Sequence, residues 1–432
     1  MSDDEKKVVA TGKTEQTNDF PLSSVPENKR RGFWSLAVVL LGFTFYTGTM
    51  AAATTLGAAF NFKSLMWIIF WGDLILGAYA SLLAYIAAKT GLTTSLMARY
   101  SFGKYGALWV DFLLGGTQVG WYGYSTALTA YALSTALGWD SKAVAIVLMV
   151  IFGFAFCSTA FVGYRGMEIL SYVAVPAMTI LIFWSMSVAV KDAGGMAGVM
   201  SITPTTTMGV GAALTVVVGT YVSGGLQSTN WSRFAKNGKQ AVLATMLAFF
   251  IGNGFMIVAG AFGAFVYQVA DMVEVLTIQG LLFAGILLLM LNIWTSQDNT
   301  IYAFSIAASS AFHTEKRRRL VLIGAAIGTL IGILGIYDAL VPFLVFLGSV
   351  IPPVGGVIAA DFFLTNKGRY VPFEKAKFEN FNWIGIVAYL AGIACSKLPF
   401  GITAINAGVG GALAYIILAL ILKRKPIEAK DE

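Results

Sequence analysis

Long apolar runs separated by short polar connections dominate the pattern of this 432-residue chain. A run of about 20 apolar residues is long enough to cross a bilayer as a helix, and the chain contains about twelve such runs. Their approximate limits are residues 33–58, 65–88, 106–135, 142–162, 167–190, 209–230, 240–266, 277–304, 320–336, 339–363, 382–397 and 402–422. The pattern predicts an all-α integral membrane protein embedded in the lipid bilayer.

The composition agrees with this prediction. Hydrophobic residues make up 57% of the chain and charged residues only 12%, whereas a soluble domain carries about a quarter charged residues. The net charge of +7 does not indicate a nucleic-acid partner, because the Lys and Arg residues collect in short connections between apolar runs.

The basic residues alternate along the connections and so predict the topology. They precede the first span and follow every even-numbered span, as in Lys316–Arg319 after the eighth. Since basic connections stay in the cytoplasm, both termini are predicted to be cytoplasmic. Residues 1–31 are expected to form a mobile N-terminal tail, residues 32–422 the membrane domain, and residues 423–432 a C-terminal tail.

Two similar glycine-bracketed segments lie near the middle of their spans. The first span contains "GFTFYTG" (Gly42–Gly48) and the sixth contains "GTYVSGG" (Gly219–Gly225). The two spans cross the membrane in opposite directions, as expected of an inverted repeat with one broken helix in each half, a transporter architecture. The alternative is that these glycines only allow neighbouring helices to pack closely.

The third span carries an aromatic and polar stripe. Gln118, Trp121, Tyr122 and Ser125 follow the spacing i, i+3, i+4 and i+7 of one helix face. An indole on which a ring can stack, beside an amide that offers a donor and an acceptor, suits a flat heteroaromatic solute. The four glycines of "GGTQVGWYGY" are expected to leave room for it. Alternatively, Trp121 anchors the helix at the lipid interface and Gln118 bonds to a neighbouring helix.

The eighth span carries a second polar stripe. Asn292, Thr295, Ser296 and Asn299 share one face, with Asp298 turned away from it. Hydroxyl and amide oxygens are hard, neutral ligands that suit an alkali cation, and backbone carbonyls freed at a helix break would complete its shell. Asp298 is expected to be structural.

Three further features affect the interpretation. Asp73 in the second span either carries protons, pairs with a hydroxyl group or lies near water. "IPPVGG" (Ile351–Gly356) is expected to kink or break the tenth span. The chain has one histidine and two cysteines, without metal-ligand spacing or a phosphate-binding loop; we therefore expect neither an enzyme nor a cofactor.

Four segments together resemble the cytosine-permease branch of the nucleobase–cation symporter family. They are "AAKTGLTTSLMARYSFG" (Ala87–Gly103), "GGTQVGW" (Gly115–Trp121), "LNIWTSQDN" (Leu291–Asn299) and "IPPVGGVIAADFF" (Ile351–Phe363). The resemblance extends from about Arg31 to the last span.

The resemblance implies twelve helices in the bacterial cytoplasmic (inner) membrane. The first ten would form a five-plus-five inverted repeat with broken helices one and six, and two C-terminal helices would follow. The repeats would cover about residues 33–190 and 209–363, and the extra helices about 382–422. The implied activity is import of cytosine with sodium by alternating access. Alternatives are proton-coupled transport of hydroxymethylpyrimidine, a purine, allantoin or hydantoin, or a membrane receptor or enzyme that transports nothing.

The resemblance also implies roles for individual residues. Trp121 would stack on the base, Gln118 would bond its edge, and Tyr221 would cover its opposite face. The other implied substrate contacts are Tyr46, Thr220, Ser223 and Asn292. The implied sodium ligands are Gly42, Phe45, Asn292, Thr295 and Ser296, with Asn292 between substrate and cation.

The chain also departs from the pattern of that branch, which has Phe at the positions of Tyr46 and Tyr221 and Ser at Thr220. Two phenols in place of phenyl rings predict a more polar pocket and leave cytosine or a related heterocycle open. At Asp73 the branch has Asn, so Asp73 is a candidate coupling residue for protons.

Overall fold

The computed structural model describes residues 19–139, 141–269 and 272–430. Helices occupy all twelve predicted spans. In chain order the spans are formed by Phe33–Thr44 with Thr47–Ala59, Phe62–Thr90, Gly106–Ala136, Lys142–Ala155 with Ser158–Val162, Tyr164–Asp192, Val210–Gln227, Gly238–Met246 continuing through Leu247–Gly252 into Asn253–Tyr267, Leu282–Ala311, Arg317–Ile333, Leu340–Val350 with Pro352–Ala360, Trp383–Cys395 and Thr403–Ile421. The all-α membrane fold is therefore confirmed.

The described helices have the length and surface expected in a bilayer. Seven of them are long and apolar enough to cross a membrane, and the bent pair in the first span makes an eighth. Large apolar side chains such as Val173, Ile180 and Leu420 are more than 60% exposed on the outside of the bundle. A surface of this kind is stable only against lipid or another apolar partner.

The first span is broken where the sequence predicts it. Phe45 and Tyr46 are extended between the two helices, whose axes differ by 52°. Backbone groups freed by the break bond to the eighth span: the Thr47 N–H donates to Asn292 Oδ1 at 2.6 Å, and Ser296 Oγ donates to the Phe45 carbonyl at 3.1 Å. Side chains of a neighbouring helix thus replace the missing helical bonds, as a break inside a membrane requires.

The sixth span, in contrast, is not broken at its glycines. One α-helix runs from Val210 to Gln227 through the whole Gly219–Gly225 segment, so the predicted interruption there is wrong. The glycines provide space instead: a methyl group at Gly224 would lie 2.8 Å from the ring of Phe43. Close packing, the alternative open at the sequence level, accounts for Gly224, whereas a methyl group at Gly219 would meet nothing within 4 Å.

The tenth span is interrupted at its prolines, as predicted. The helix Leu340–Val350 ends before Ile351, and the next begins at Pro352. Proline has no N–H and its ring clashes with the preceding turn, so it begins a helix more readily than it continues one. A wider π-helical turn, Asp361–Thr365, follows Pro352–Ala360.

The end of the predicted N-terminal tail is packed against the bundle. The Asp19 carboxylate forms an ion pair with Arg317 at 2.9 Å, and the Val25 N–H donates to the Gly91 carbonyl at 3.0 Å. Asp19 and Val25 are both buried. The expectation of a mobile tail is therefore wrong for residues 19–31, while residues 1–18 lie outside the described part.

Candidate functional site

A small cavity lies beside the break of the first span. Its walls come from the first, third, sixth and eighth spans. They are Phe43, Tyr46, Gln118, Trp121, Ser125, Thr220, Tyr221, Ser223, Gly224, Ser296 and Thr300. About 320 Å³ of space is free of atoms, but most of it is narrow, and the volume open to a water-sized molecule is only about 20 Å³. Six of the seven predicted substrate contacts are thus together, and Asn292 is not among them.

Trp121 is held in the cavity wall by three aromatic rings and one hydrogen bond. Its ring meets those of Tyr46, Tyr124 and Phe343 edge to face, at centroid distances of 5.9, 6.0 and 5.4 Å. Its Nε1–H donates to Ser223 Oγ at 3.2 Å. Edge-to-face pairs are the favoured geometry between aromatic rings, so the indole is held in one orientation facing the cavity.

Tyr46 occupies the space between the two rings that were expected to enclose a substrate. Its ring is nearly perpendicular to both Trp121 and Tyr221, with centroids 5.9 and 6.3 Å away. Its hydroxyl group lies 2.7 Å from Ser125 Oγ. A flat ring can stack between Trp121 and Tyr221 only after Tyr46 has moved, which explains the small accessible volume.

The phenols add less polarity to the cavity than the sequence suggested. The Tyr221 hydroxyl donates to the Phe43 carbonyl at the break of the first span, and the Tyr46 hydroxyl is paired with Ser125. Gln118 differs, since it is 1% exposed and lines the cavity without a hydrogen bond to any other described side chain or backbone group. Its amide could therefore bond to a solute edge that has a donor and an acceptor.

The third-span stripe divides between two environments. Gln118, Trp121 and Ser125 face the cavity, whereas the hydroxyl of Tyr122 donates to the Gly153 carbonyl of the fourth span at 2.6 Å. Periodicity alone could not separate Tyr122 from the others, because residues four apart share a broad face.

The predicted cation ligands converge on the break of the first span. Ser296 Oγ contacts the Phe45 carbonyl, as described above, and lies 3.4 Å from the Phe43 carbonyl. A methyl group at Gly42 would lie 3.5 Å from Thr295 Cβ. Thr295 Oγ1 donates to the Asn292 carbonyl at 3.0 Å. These oxygens are all neutral, a donor set that suits an alkali ion better than a transition metal.

Asn292 lies at the break rather than in the cavity wall. Its Oδ1 accepts the Thr47 N–H, and its Nδ2 has no hydrogen-bond partner among the described residues. It therefore bridges the eighth span to the second half of the first span, and not to a substrate position.

Ser171 on the fifth span adjoins the cation ligands and was missed at the sequence level. Its Oγ is buried without a partner among the described residues, and a methyl group at Gly42 would lie 2.4 Å from it. No periodic polar pattern surrounds this serine in the sequence, so only the packing of the fifth span on the first reveals it.

Asp73 lies outside the cavity but is connected to it. Asn253, for which the sequence offered no partner, donates from Nδ2 to Asp73 Oδ1 at 2.8 Å and to Thr220 Oγ1 at 3.0 Å. Thr220 lines the cavity. Within the described part of the chain, no cluster of three His, Cys, Asp or Glu side chains could hold a metal ion.

Apolar membrane-spanning helices around a broken first span, with a cavity at the break, are features of a transporter architecture. A family model described as permease for cytosine/purines, uracil, thiamine and allantoin matches residues 24–418. The chain belongs to this family, so it is a multi-pass membrane permease and not an enzyme.

Individual relatives agree with this family. The chain is 40% identical to the cytosine permease of Escherichia coli strain K12 over 414 residues, which cover 96% of this chain and 97% of that protein. The cytosine permease of Escherichia coli O157:H7 matches to the same extent.

Solved structures show the same fold. Mhp1, a nucleobase-cation-symport-1 family transporter in a closed conformation with bromovinylhydantoin bound, superposes with a TM-score of 0.83 at 19% identity, over 94% of this chain and 96% of that chain. A Na⁺-coupled sialic acid symporter in a substrate-bound outward-open state superposes with a TM-score of 0.70 at 13% identity, over 97% of this chain and 95% of that chain.

Proposed function

We propose that this permease imports cytosine together with sodium by alternating access. The observation that carries the proposal is the cavity face on which Gln118, an unpaired amide, lies one helical turn from the fixed indole of Trp121. Cytosine has a flat ring and, on one edge, both donors and acceptors. Trp121 would stack on the ring, and Gln118 would bond the edge. The 40% identity to a cytosine permease supports this choice of solute.

Tyr46 and Tyr221 complete the proposed base site. Cytosine would displace the ring of Tyr46 from its place between Trp121 and Tyr221, and Tyr221 would cover the second face of the base. Thr220 and Ser223 on the sixth span would offer hydroxyl groups at the rim. Ser223 already accepts the Trp121 N–H, so it would act mainly by fixing the indole.

Sodium would bind at the break of the first span. The proposed ligands are the carbonyls of Gly42 and Phe45, the hydroxyl groups of Thr295 and Ser296, and the carbonyl of Asn292. The hydrogen bond of Ser296 to the Phe45 carbonyl supports this set, because it shows that the two oxygens are only 3.1 Å apart. Both could contact one cation if the Ser296 hydroxyl group turned its hydrogen away from the carbonyl.

The transport cycle would use the two repeats, residues 33–190 and 209–363, with 382–422 packed outside them. Substrate and cation would enter from outside, and rocking of the bundle with movement of the tenth span would then open the site to the cytoplasm. We place the protein in the bacterial cytoplasmic (inner) membrane with both termini in the cytoplasm, because the basic connections alternate.

A second candidate substrate is another flat heterocycle, such as hydroxymethylpyrimidine, a purine, allantoin or hydantoin. The two phenols favour it, since Tyr46 and Tyr221 could each give up a present hydrogen bond to meet a solute with further polar groups. Proton coupling is the corresponding alternative to sodium, with Asp73 as the candidate carrier.

Uptake into proteoliposomes tests these alternatives. Labelled cytosine is supplied under an inward sodium gradient or an inward proton gradient, each alone, with an excess of each competing heterocycle in turn. We expect saturable uptake that needs sodium and is blocked best by unlabelled cytosine. Uptake blocked better by another heterocycle would reassign the substrate, and uptake unchanged without sodium would remove the cation assignment.

A further inference from the structure

Asp73 is a buried carboxyl group with an incomplete set of partners. It lies near the middle of the second span, Phe62–Thr90, and none of its surface is exposed. One oxygen, Oδ1, accepts the Asn253 amide, while Oδ2 has no hydrogen-bond partner among the described residues. A methyl group at Gly254 would lie 3.1 Å from Oδ2, so a larger residue there would crowd this buried oxygen.

The charged form of this carboxyl group has little to stabilise it. No basic side chain of the described residues lies within ion-pair distance. Of the segments packed on the second span, Val210–Gln227 has only Tyr221 as a titratable group, and Leu247–Tyr267 only Tyr267 at its far end. Gly238–Met246 has Lys239 near its start. The segments 47–59, 196–201, 229–232 and 352–360 have none. An unpaired carboxylate inside a membrane protein is strongly disfavoured, whereas a neutral carboxyl group needs only hydrogen bonds.

One amide joins this carboxyl group to the substrate cavity. The Asn253 amino group has two hydrogens and uses them on Asp73 Oδ1 and Thr220 Oγ1. The Thr220 hydroxyl group donates its hydrogen to the Val217 carbonyl at 2.7 Å, so its oxygen accepts the hydrogen bond from Asn253. The chain Asp73–Asn253–Thr220 therefore runs from a buried acid to the cavity wall. Asn253 directly follows the π-helical turn Leu247–Gly252, and turns of this kind are often found at functional sites.

We propose that Asp73 is a proton-binding site that controls the substrate cavity through Asn253 and Thr220. The carboxylate takes up one proton on Oδ2 and releases it again, with no other bond formed or broken. While Asp73 is neutral, the Asn253 amide is shared between Asp73 and Thr220, as in the structure. Once Asp73 is ionised, its charge attracts the amide more strongly and draws it away from Thr220, which loosens the cavity wall.

The sign of the coupling follows from this arrangement. When Asp73 is neutral, the hydrogen bond from Asn253 to Thr220 is kept and the cavity wall at Thr220 stays in place. Protonation of Asp73 therefore favours substrate binding, and substrate binding favours protonation to the same extent. The inference deepens the proposed function by adding a proton to the sodium and cytosine already proposed. Cytosine should bind more tightly at low pH than at high pH.

Equilibrium binding of labelled cytosine to the purified full-length protein tests the proposal. Binding is measured in saturating sodium from about pH 5.5 to about pH 9, a range that includes the titration of documented buried carboxyl groups. For the wild-type protein we expect the Kd to rise by about fivefold or more over this range. Asp73→Asn, which resembles the neutral acid, should keep the low-pH Kd at every pH. A flat wild-type profile, or an Asp73→Asn profile that follows the wild type, would overturn the proposal.

Asp298 provides a matched control. It is also a fully buried carboxyl group within a span, but both of its oxygens are satisfied, by Thr159 at 2.9 Å and by Asn299 at 3.0 Å. Asp298→Asn should therefore keep the pH response of the wild type. The titration of cytosine itself affects all variants equally and cancels in the comparison. Loss of the response in Asp298→Asn as well as in Asp73→Asn would count against the assignment to Asp73.

Two further measurements separate the possible failures. Thr220→Ser keeps the hydroxyl group and should keep the pH response, while Thr220→Ala should lose it. A response that survives in Thr220→Ala excludes the proposed connection.

If cytosine does not bind at any pH, the proposed substrate fails, but the proton site is still tested by thermal unfolding without ligand. The midpoint should fall more steeply with rising pH for the wild type than for Asp73→Asn, because the variant has one buried carboxyl group fewer whose proton is bound more tightly in the folded state. The same pH dependence in both proteins would contradict the site.

Discussion

Replacement of Trp121 is the most direct test of the cavity as a base site. In the structure the indole faces the cavity, fixed by three rings and by the Ser223 hydroxyl. Stacking of a base on an aromatic side chain contributes about 1–3 kcal/mol, which corresponds to a factor of about 5–150 in Kd. We therefore expect Trp121→Ala to raise the Kd for cytosine by one to two orders of magnitude and to abolish saturable uptake.

A conservative variant separates the ring from its hydrogen bond. Trp121→Phe keeps an aromatic face but loses the Nε1–H that donates to Ser223. This bond is within the protein and is present before the substrate binds, so its loss affects the Kd only through the position of the ring, and the Kd should rise less than for Trp121→Ala. If stacking dominates, the Kd for cytosine should increase from the wild type to Trp121→Phe and again to Trp121→Ala. Equal losses in the two variants would instead indicate that the hydrogen-bonded position of the indole matters more than its face.

The assay is equilibrium binding of labelled cytosine in saturating sodium, which does not depend on the rate of the transport cycle. Trp109→Ala is the matched control, because Trp109 lies on the same helix, Gly106–Ala136, and is 56% exposed on the outside of the bundle. It should bind cytosine as the wild type does. A Kd for Trp121→Ala within about twofold of the Trp109→Ala value would refute the assignment of Trp121 to the substrate.

Two other expectations concern the cation and the packing. Ser296→Ala and Thr295→Ala should each raise the sodium concentration needed for half-maximal cytosine binding, and an unchanged sodium response in both variants would remove the cation site from the eighth span. Gly123→Leu should lower the thermal stability of the protein by about 1–3 kcal/mol, since even a methyl group there would lie 2.6 Å from the Gly328 carbonyl. Gly116→Leu, where a methyl group meets nothing within 4 Å, is the control for Gly123→Leu in thermal unfolding, and equal midpoints for the two would contradict the packing argument.

The helical spans could be predicted because they depend on a local property. Apolar length is read directly from the sequence, and the third span, expected at residues 106–135, forms Gly106–Ala136. The structural effect of a glycine, in contrast, depends on residues that are distant in the sequence. Gly42–Gly48 contains a true break, whereas Gly219–Gly225 lies in a continuous helix. In that helix Gly224 makes room for the ring of Phe43. The two segments have similar composition, and only tertiary contacts distinguish them.

The glycines of the third span show the same limit. They were expected to open the face for a solute, but a methyl group at Gly120 would lie 2.8 Å from Phe343, and one at Gly123 would touch the backbone of the ninth span. The main effect of Gly120 and Gly123 is to let the ninth and tenth spans approach, whereas a methyl group at Gly116 would meet nothing within 4 Å. They shape the cavity indirectly, because the Phe343 ring that Gly120 admits is one of the three that hold Trp121.

Helical spacing and the family resemblance together identified most of the cavity wall, but not the connections behind it. Asn253 and Asp73 are 180 residues apart in the chain, and neither lies on a polar stripe. Ser171, beside Gly42, is an isolated hydroxyl group in an apolar span. A single polar residue in a membrane helix indicates that a partner exists, yet the partner depends on which helices are neighbours, and the sequence does not contain that information in local form.

The break of the first span brings the proposed cation and substrate into contact with consecutive residues. Phe45 and Tyr46 are both extended: the Phe45 carbonyl accepts Ser296 on the cation side, and the Tyr46 ring fills the cavity between Trp121 and Tyr221. A cation that fixes the Phe45 carbonyl must also restrict the backbone that positions Tyr46, and a base that displaces Tyr46 must act on the Phe45 carbonyl. The coupling of the two ligands then needs no long pathway, since one peptide unit transmits it in both directions.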